Sequence, residues 1–114
     1  MKLNLKFNAI RVDEIEKAKG LSIENCIGDD TINNLALFIQ KGLIDDNGRH
    51  GVSRTVALDT IDKYLAEHDK TELVLDITEA LVDAGFLSRS LDVAKMREMT
   101  KKKTAEANEM INSL

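Results

Sequence analysis

Proline and tryptophan are absent from this 114-residue chain, which holds one cysteine, one tyrosine and three phenylalanines. Without proline no helix meets an obligatory break, and six glycines leave few places where the backbone must turn. With so few aromatic rings the core has to be aliphatic, built from Leu, Ile, Val and Ala. Abundant Glu, Lys, Leu and Ala favour helical packing of that core. The lone Cys26 has no partner for an internal disulfide and fits a reducing compartment as a small core residue. No apolar run approaches the roughly 18 residues a membrane span needs. The start Met1-Lys2-Leu3-Asn4-Leu5 lacks the continuous apolar stretch of a signal peptide. The expectation is a soluble, cytoplasmic protein with no membrane partner.

The length fits one small domain with little stability to spare. A net charge of −4 argues against a dedicated nucleic-acid binder, because phosphate neutralisation needs a basic face. That charge is unevenly spread. Residues 1–90 carry 11 basic and 16 acidic side chains, whereas residues 91–114 carry five basic and four acidic ones. The chain therefore divides into a helical core domain, 1–90, and a basic C-terminal helix or arm of the same domain, 91–114.

Lys2 to Asn8 alternates polar and apolar residues, which places Leu3, Leu5 and Phe7 on one face of a short strand. Asn8 caps a charged helix with Ile10, Glu14, Ile15 and Ala18 on one side, closed by Gly20. Ser22 opens a brief helical turn holding Ile23, Cys26 and Ile27. From Asp30 or Thr31, the residues Ile32, Leu35, Ala36, Ile39 and Leu43 recur at helical spacing. Asp45 to Gly51 is the long loop, with a tight turn at Asn47-Gly48 and room for a small hairpin. Ser53 caps a helix with Ala57, Leu58, Ile61, Tyr64 and Leu65 on one face. Asp69 and Glu72 read as a capping box that launches a helix with Leu73, Ile77, Ala80, Leu81 and Ala84 inward, ended by Gly85. Phe86 and Leu87 fold back onto its last turn. Ser90 caps a final helix whose seam of Val93, Met96, Thr100, Lys103, Ala107, Met110 and Leu114 is diluted by Thr100 and Lys103. Such a seam frays or waits for a partner. The fold class is mainly α, a small domain of four or five helices with a short N-terminal β-strand.

Candidate chemical sites fail on spacing. Taking Gly48 as the glycine of a calcium loop puts Leu43 where the first acidic ligand must stand and Arg54 where the closing glutamate belongs. Cys26, His50 and His68 share no zinc-ligand spacing. Ser53 near His50 lacks the Gly-x-Ser-x-Gly elbow of a nucleophile, and helix capping explains it. No glycine-rich loop ends in Gly-Lys-Ser or Gly-Lys-Thr. His68 reads as a solvated residue at a helix end. The expectation is a protein that is not an enzyme, with no metal and no cofactor.

Two binding readings remain. A helix, turn and helix over residues 31–65 would present Arg49, His50 and Arg54 to DNA, as in a small helical regulator of phage or prophage origin. Against it, Asp59, Asp62 and Glu67 oppose only Arg54 and Lys63, and the connection exceeds the usual three or four residues. The other reading is protein binding through the arm, where Met96, Met99 and Met110 supply adaptable apolar contact and Lys101, Lys102 and Lys103 supply steering.

In layout the chain resembles the small tail assembly chaperones of long-tailed bacteriophages and prophages, especially those of Gram-positive hosts. The matching pieces are the opening Lys2-Leu3-Asn4-Leu5-Lys6-Phe7, the charged Arg11-Val12-Asp13-Glu14-Ile15-Glu16, and Asn34-Leu35-Ala36-Leu37-Phe38-Ile39-Gln40-Lys41-Gly42-Leu43. Ile61-Asp62-Lys63-Tyr64-Leu65, the stretch from Leu73 to Leu87, and the lysine run complete the order. The likeness spans roughly residues 1–103 and rests on order and texture, with no invariant motif. It departs where the family opening continues into a second strand and where the Asp45 to Gly51 loop has no counterpart. The resemblance implies a factor in the host cytoplasm that binds the tape measure protein, keeps it soluble and helps tail tube protein assemble around it. It implies no catalysis, and it is compatible with a homo-oligomer. Families of this kind often make short and long forms by frameshifting near the end of the short frame, where lysine codons can supply a slippery run.

Overall fold

A computed structural model of the chain describes residues 3–100. Five helices follow one another: α1 (Ala9–Lys19), α2 (Ile23–Cys26), α3 (Ile32–Gly42), α4 (Arg54–Leu65) and α5 (Lys70–Asp83). Helical backbone resumes at Val93 and continues to Thr100, the last described residue; this stretch, 93–100, is α6. The protein is mainly helical, as the composition implies.

The helix starts follow the side-chain caps. Asn8, Thr31, Ser53 and Asp69 each accept from the amide three residues on, satisfying one of the donors that a first turn leaves without a partner. At the other end of α1, Gly20 adopts φ 68°, a left-handed conformation open to glycine at little cost, and its amide closes on the Glu16 carbonyl. Three local expectations are corrected. Ser22 makes no side-chain cap for α2; the Glu16 carboxylate takes that role by accepting from the Ile23 amide at 2.9 Å. Glu72 does not reach back to its own cap residue but engages His68. Asp92, not Ser90, caps α6, accepting from the Lys95 amide at 3.0 Å, because the Ser90 hydroxyl is paired with that of Ser88.

Helix α3 is the centre of the domain. It buries Leu35, Ala36, Phe38 and Ile39, and packs against α4 on one side and α1 on the other, with α2 tucked against α1. Ala57, Ile61 and Tyr64 from α4 and Leu73, Ile77 and Leu81 from α5 complete the core. On α5 the expected face is the buried one, although Ala84 at its end is exposed. The face of α1 is a correction. Val12 and Ile15 are inside while Ile10 stands 69% exposed, because the buried stripe steps from Val12 to Ile15 and on to the stem of Lys19, whose ammonium pairs with Asp29. Leu87 folds back into the core as expected, and Phe86 is half-buried beside it.

The expected N-terminal strand is reduced to one antiparallel bridge, Leu5 with Leu43. The Lys6 amide donates to the Gly42 carbonyl at 2.8 Å, and the Ile44 amide to Asn4 at 2.9 Å. A longer ladder has no room, since Leu43 and Ile44 are confined between the end of α3 and a turn at Asp45. That turn carries the chain back to a second bridge, Ile44 with His50, so the long loop is a miniature hairpin.

Candidate functional site

A connected set of polar groups lies where α4, α5 and α6 meet. Tyr64, on the core face of α4, is almost completely buried, and its hydroxyl donates to an Asp76 carboxylate oxygen at 2.7 Å. The other Asp76 oxygen accepts from the Arg97 guanidinium on α6, whose second nitrogen donates to Glu79. Asp76 and Glu79 are three residues apart on α5, which puts both carboxylates on one side of that helix, within one forked guanidinium's reach. One turn earlier, His68 stacks on the Tyr64 ring with centroids 4.5 Å apart and donates from Nδ1 to Glu72 at 2.7 Å. His68 is thus half-buried and engaged rather than solvated, and its Nε2 is enclosed without a partner.

The electrostatics of this cluster are internally balanced. Burial, and then the Asp76 carboxylate it bonds, push the Tyr64 phenol well above its ordinary range. The Glu79 carboxylate, foremost among its partners, holds the Arg97 guanidinium firmly charged. Each carboxylate among Glu72, Asp76 and Glu79 has a ring or guanidinium partner, so the cluster joins helices and leaves none of these three acids unpaired. Raising the folded-state pKa of Tyr64 stabilises the protein below the unfolded value of about 10, and that contribution is lost as pH climbs. Thermal melts from pH 8 to 12 are therefore expected to show a steep loss of stability above about pH 10. In Tyr64→Phe the loss is shallower, from a starting stability lower by about 1 kcal/mol. Parallel curves for the two proteins would contradict the assignment.

Beside the cluster an open groove of about 540 Å³ runs between the end of α5 and the start of α6, lined by Glu79, Val82, Asp83, Arg89, Asp92 and Val93. Acidic and aliphatic side chains share its wall, and Leu91 stands 41% exposed at its edge.

The residues singled out in the sequence divide between docked and open positions. Met96 is half-buried on α6 and Met99 is 52% exposed. Lys101, Lys102 and Lys103 lie outside the described residues, as does Met110. The trio considered for DNA is not presented together. His50 Nε2 bonds the Lys6 carbonyl at 2.9 Å and Arg54 donates to Asn33 at 3.0 Å, while Arg49 is exposed in the turn. In the acidic loop Asp45 Oδ1 accepts from the amides of Asn47 and Arg49, so this carboxylate holds a turn. Cys26 is buried far from both histidines in sequence, bonds the Leu21 carbonyl, and has its thiol pKa raised by burial. Among the described residues no three His, Cys, Asp or Glu side chains gather as metal ligands. Likewise, no described helix is long and apolar enough to cross a membrane.

Arg97 is the residue that sequence reasoning missed. Its signal was faint: Asp76 and Glu79 sit away from the Leu73, Ile77 and Leu81 stripe, a pattern that also describes an ordinary solvated face. Comparison with family models, with curated proteins and with solved structures gives no match to this chain.

Proposed function

We propose that this protein is a tail assembly chaperone of the long-tailed phage type, which binds a tape measure protein in the host cytoplasm and assists tail tube assembly around it. The order of its elements supports this reading. So does one observation above others: α6 is anchored on one side by Val93 and Arg97 while Met99 is left exposed on a helix leading into the lysine run. An exposed methionine beside cationic residues suits a long, irregular helical client, because its flexible thioether adapts to uneven surfaces while the charges steer encounter.

The test is co-expression with the long helix-rich reading frame that such a gene would adjoin. Removing residues 91–114 would also remove the buried Val93 and the Arg97 ion pairs, so point changes are the better probe. Met99→Asp combined with Lys101→Gln, Lys102→Gln and Lys103→Gln is expected to lower the recovered client by about tenfold or more, the loss of roughly 1.4 kcal/mol or more of affinity. Circular dichroism should leave the fold unchanged. A client that stays insoluble beside the unmodified chain would dispose of the reading.

A further inference from the structure

The outer side of α5 is covered in an unusual way. Leu73, Ile77 and Leu81 face the core, Leu75, Asp76 and Glu79 lie away from that stripe, and half-buried Val82 packs against the edge of the core. Leu75 is nonetheless buried, as is Val93 on α6, yet neither belongs to the main cluster of core side chains. Val93 and Val82 line one groove with Glu79 between them, and Arg97, one turn beyond Val93, forks onto Asp76 and Glu79. The outer face of α5 is therefore a helix-docking surface with two readable requirements: an aliphatic side chain, and a guanidinium four residues after it.

The attachment of α6 to that surface is weak in kind though specific in form. Arg97, Asp76 and Glu79 are all partly solvent-exposed, so their attraction is screened. Among the described residues Leu87 is the last side chain in the main core cluster. After it, residues 88–92 are exposed, and the hydrogen bonds of Ser88, Ser90 and Leu91 stay within the segment. Extended, those five residues span about 17 Å, a hinge long enough to carry α6 to a neighbouring molecule.

We propose that the outer face of α5 receives the terminal helix of a second copy of this chain, so that two copies pair by exchanging α6. The occupant is argued from the surface itself: a second α6 presents the same Val93 and Arg97 that the groove and the acidic pair already accept. Inside one chain the tether gives α6 an effective concentration in the millimolar range, so exchange competes at high protein concentration or when the hinge cannot fold back. The inference stands apart from the tail-chaperone reading, since no client enters its test.

Charge reversal separates exchange from other association. In Arg97→Glu the surface is intact and the arm is wrong; in Glu79→Arg the arm is intact and the surface is wrong. Each variant alone is expected at the single-chain mass by light scattering. An equimolar mixture should reach twice that mass, because only exchange brings opposite charges together at both contacts. There the unmodified Arg97 of one chain meets the unmodified Glu79 of the other, and the two reversed side chains meet each other. The double variant should return to the single-chain mass, its charges being matched within one molecule. Should a reversed variant fold poorly, deleting residues 89–91 of the otherwise unmodified chain is the second probe, since a hinge too short to fold back should give a dimer at micromolar concentration. A mixture that stays at the single-chain mass, a double variant that associates as readily as the mixture, or a monomer with the shortened hinge would each overturn the proposal.

Discussion

Changing Asn34 to aspartate is expected to lower the unfolding free energy by about 4 kcal/mol at neutral pH, and changing it to leucine by about 3 kcal/mol. Asn34 is fully enclosed near the start of α3, and its side-chain amide donates to the Cys26 carbonyl at 2.8 Å and to the Asp29 carbonyl. The Cys26 carbonyl ends α2 and the Asp29 carbonyl lies in the connection to α3, so one enclosed side chain ties the end of one helix to the loop that leads into the next. Leucine fits the volume but leaves those oxygens short of a donor; Cys26 keeps only a long bond from the Asp29 amide, at 3.3 Å. Each buried acceptor left without a partner costs about 1–3 kcal/mol, more than the added apolar burial returns. Aspartate is worse because an ionised carboxylate would face two carbonyl oxygens. Only its protonated form can donate, so its folded-state pKa rises above the unfolded value and the deficit shrinks as pH falls toward 4. Urea unfolding of both variants at pH 7 and pH 4 measures this. A leucine variant within 1 kcal/mol of the unmodified protein would mean that Asn34 does not hold that connection.

What the sequence made legible, and what it hid, divides by the range of the interaction. A cap needs only the right side chain beside its own amide three residues on, so Asn8, Ser53 and Asp69 could be placed from residue type alone, and Thr31 as one of two adjacent choices with Asp30. The faces of α4 and α5 followed from helical spacing, and on α3 Leu35, Ala36 and Ile39 are buried as expected, but Ile32 is 42% exposed and Phe38 is buried instead. In α1 the apolar residues sit on more than one side, and spacing alone does not choose between Ile10 and Val12.

The candidate site was harder to see for the same reason. Asp76 and Glu79 differ from any solvated acidic pair only through Arg97, 18 or more residues away, and through the Tyr64 hydroxyl 12 residues before. His68 is hidden similarly: its role depends on stacking against a ring from the previous turn and on a glutamate whose expected partner was a backbone amide. The arm read as loosely seamed, and only its described part can be compared. There Val93 is buried and Arg97 is clamped while Met99 is open, so α6 has one docked side and one free side.

A valine in place of Gly42 should cost about 3 kcal/mol, the reverse of the gain expected from filling a helix position with a residue other than glycine. Gly42 closes α3 with an ordinary helical conformation, so the reason for glycine here is space and not backbone freedom. A Cβ at this position would stand 2.5, 2.6 and 3.1 Å from three ring atoms of Phe7. Ring atoms are the far end of a side chain and could in principle swing away, but this ring is confined. It is buried, its edge meets Phe38 at a centroid distance of 6.1 Å, and its backbone is pinned beside the bond from the Lys6 amide to the Gly42 carbonyl. Making room therefore expels Phe7 from the core, forfeiting about 2–3 kcal/mol of burial, or opens the bridge that ties the N-terminal segment to the end of α3. Alanine at the same position decides between propensity and packing, since it brings the first clashing atom with the best helix propensity. It should still destabilise, by about 1–2 kcal/mol. Combining Gly42→Ala with Phe7→Leu should recover more than about 0.5 kcal/mol relative to the sum of the separate changes, the coupling expected of side chains in direct contact. Simple additivity in that double-mutant cycle, or an alanine variant more stable than the original, would show that the ring is free to move and that glycine is dispensable at this contact.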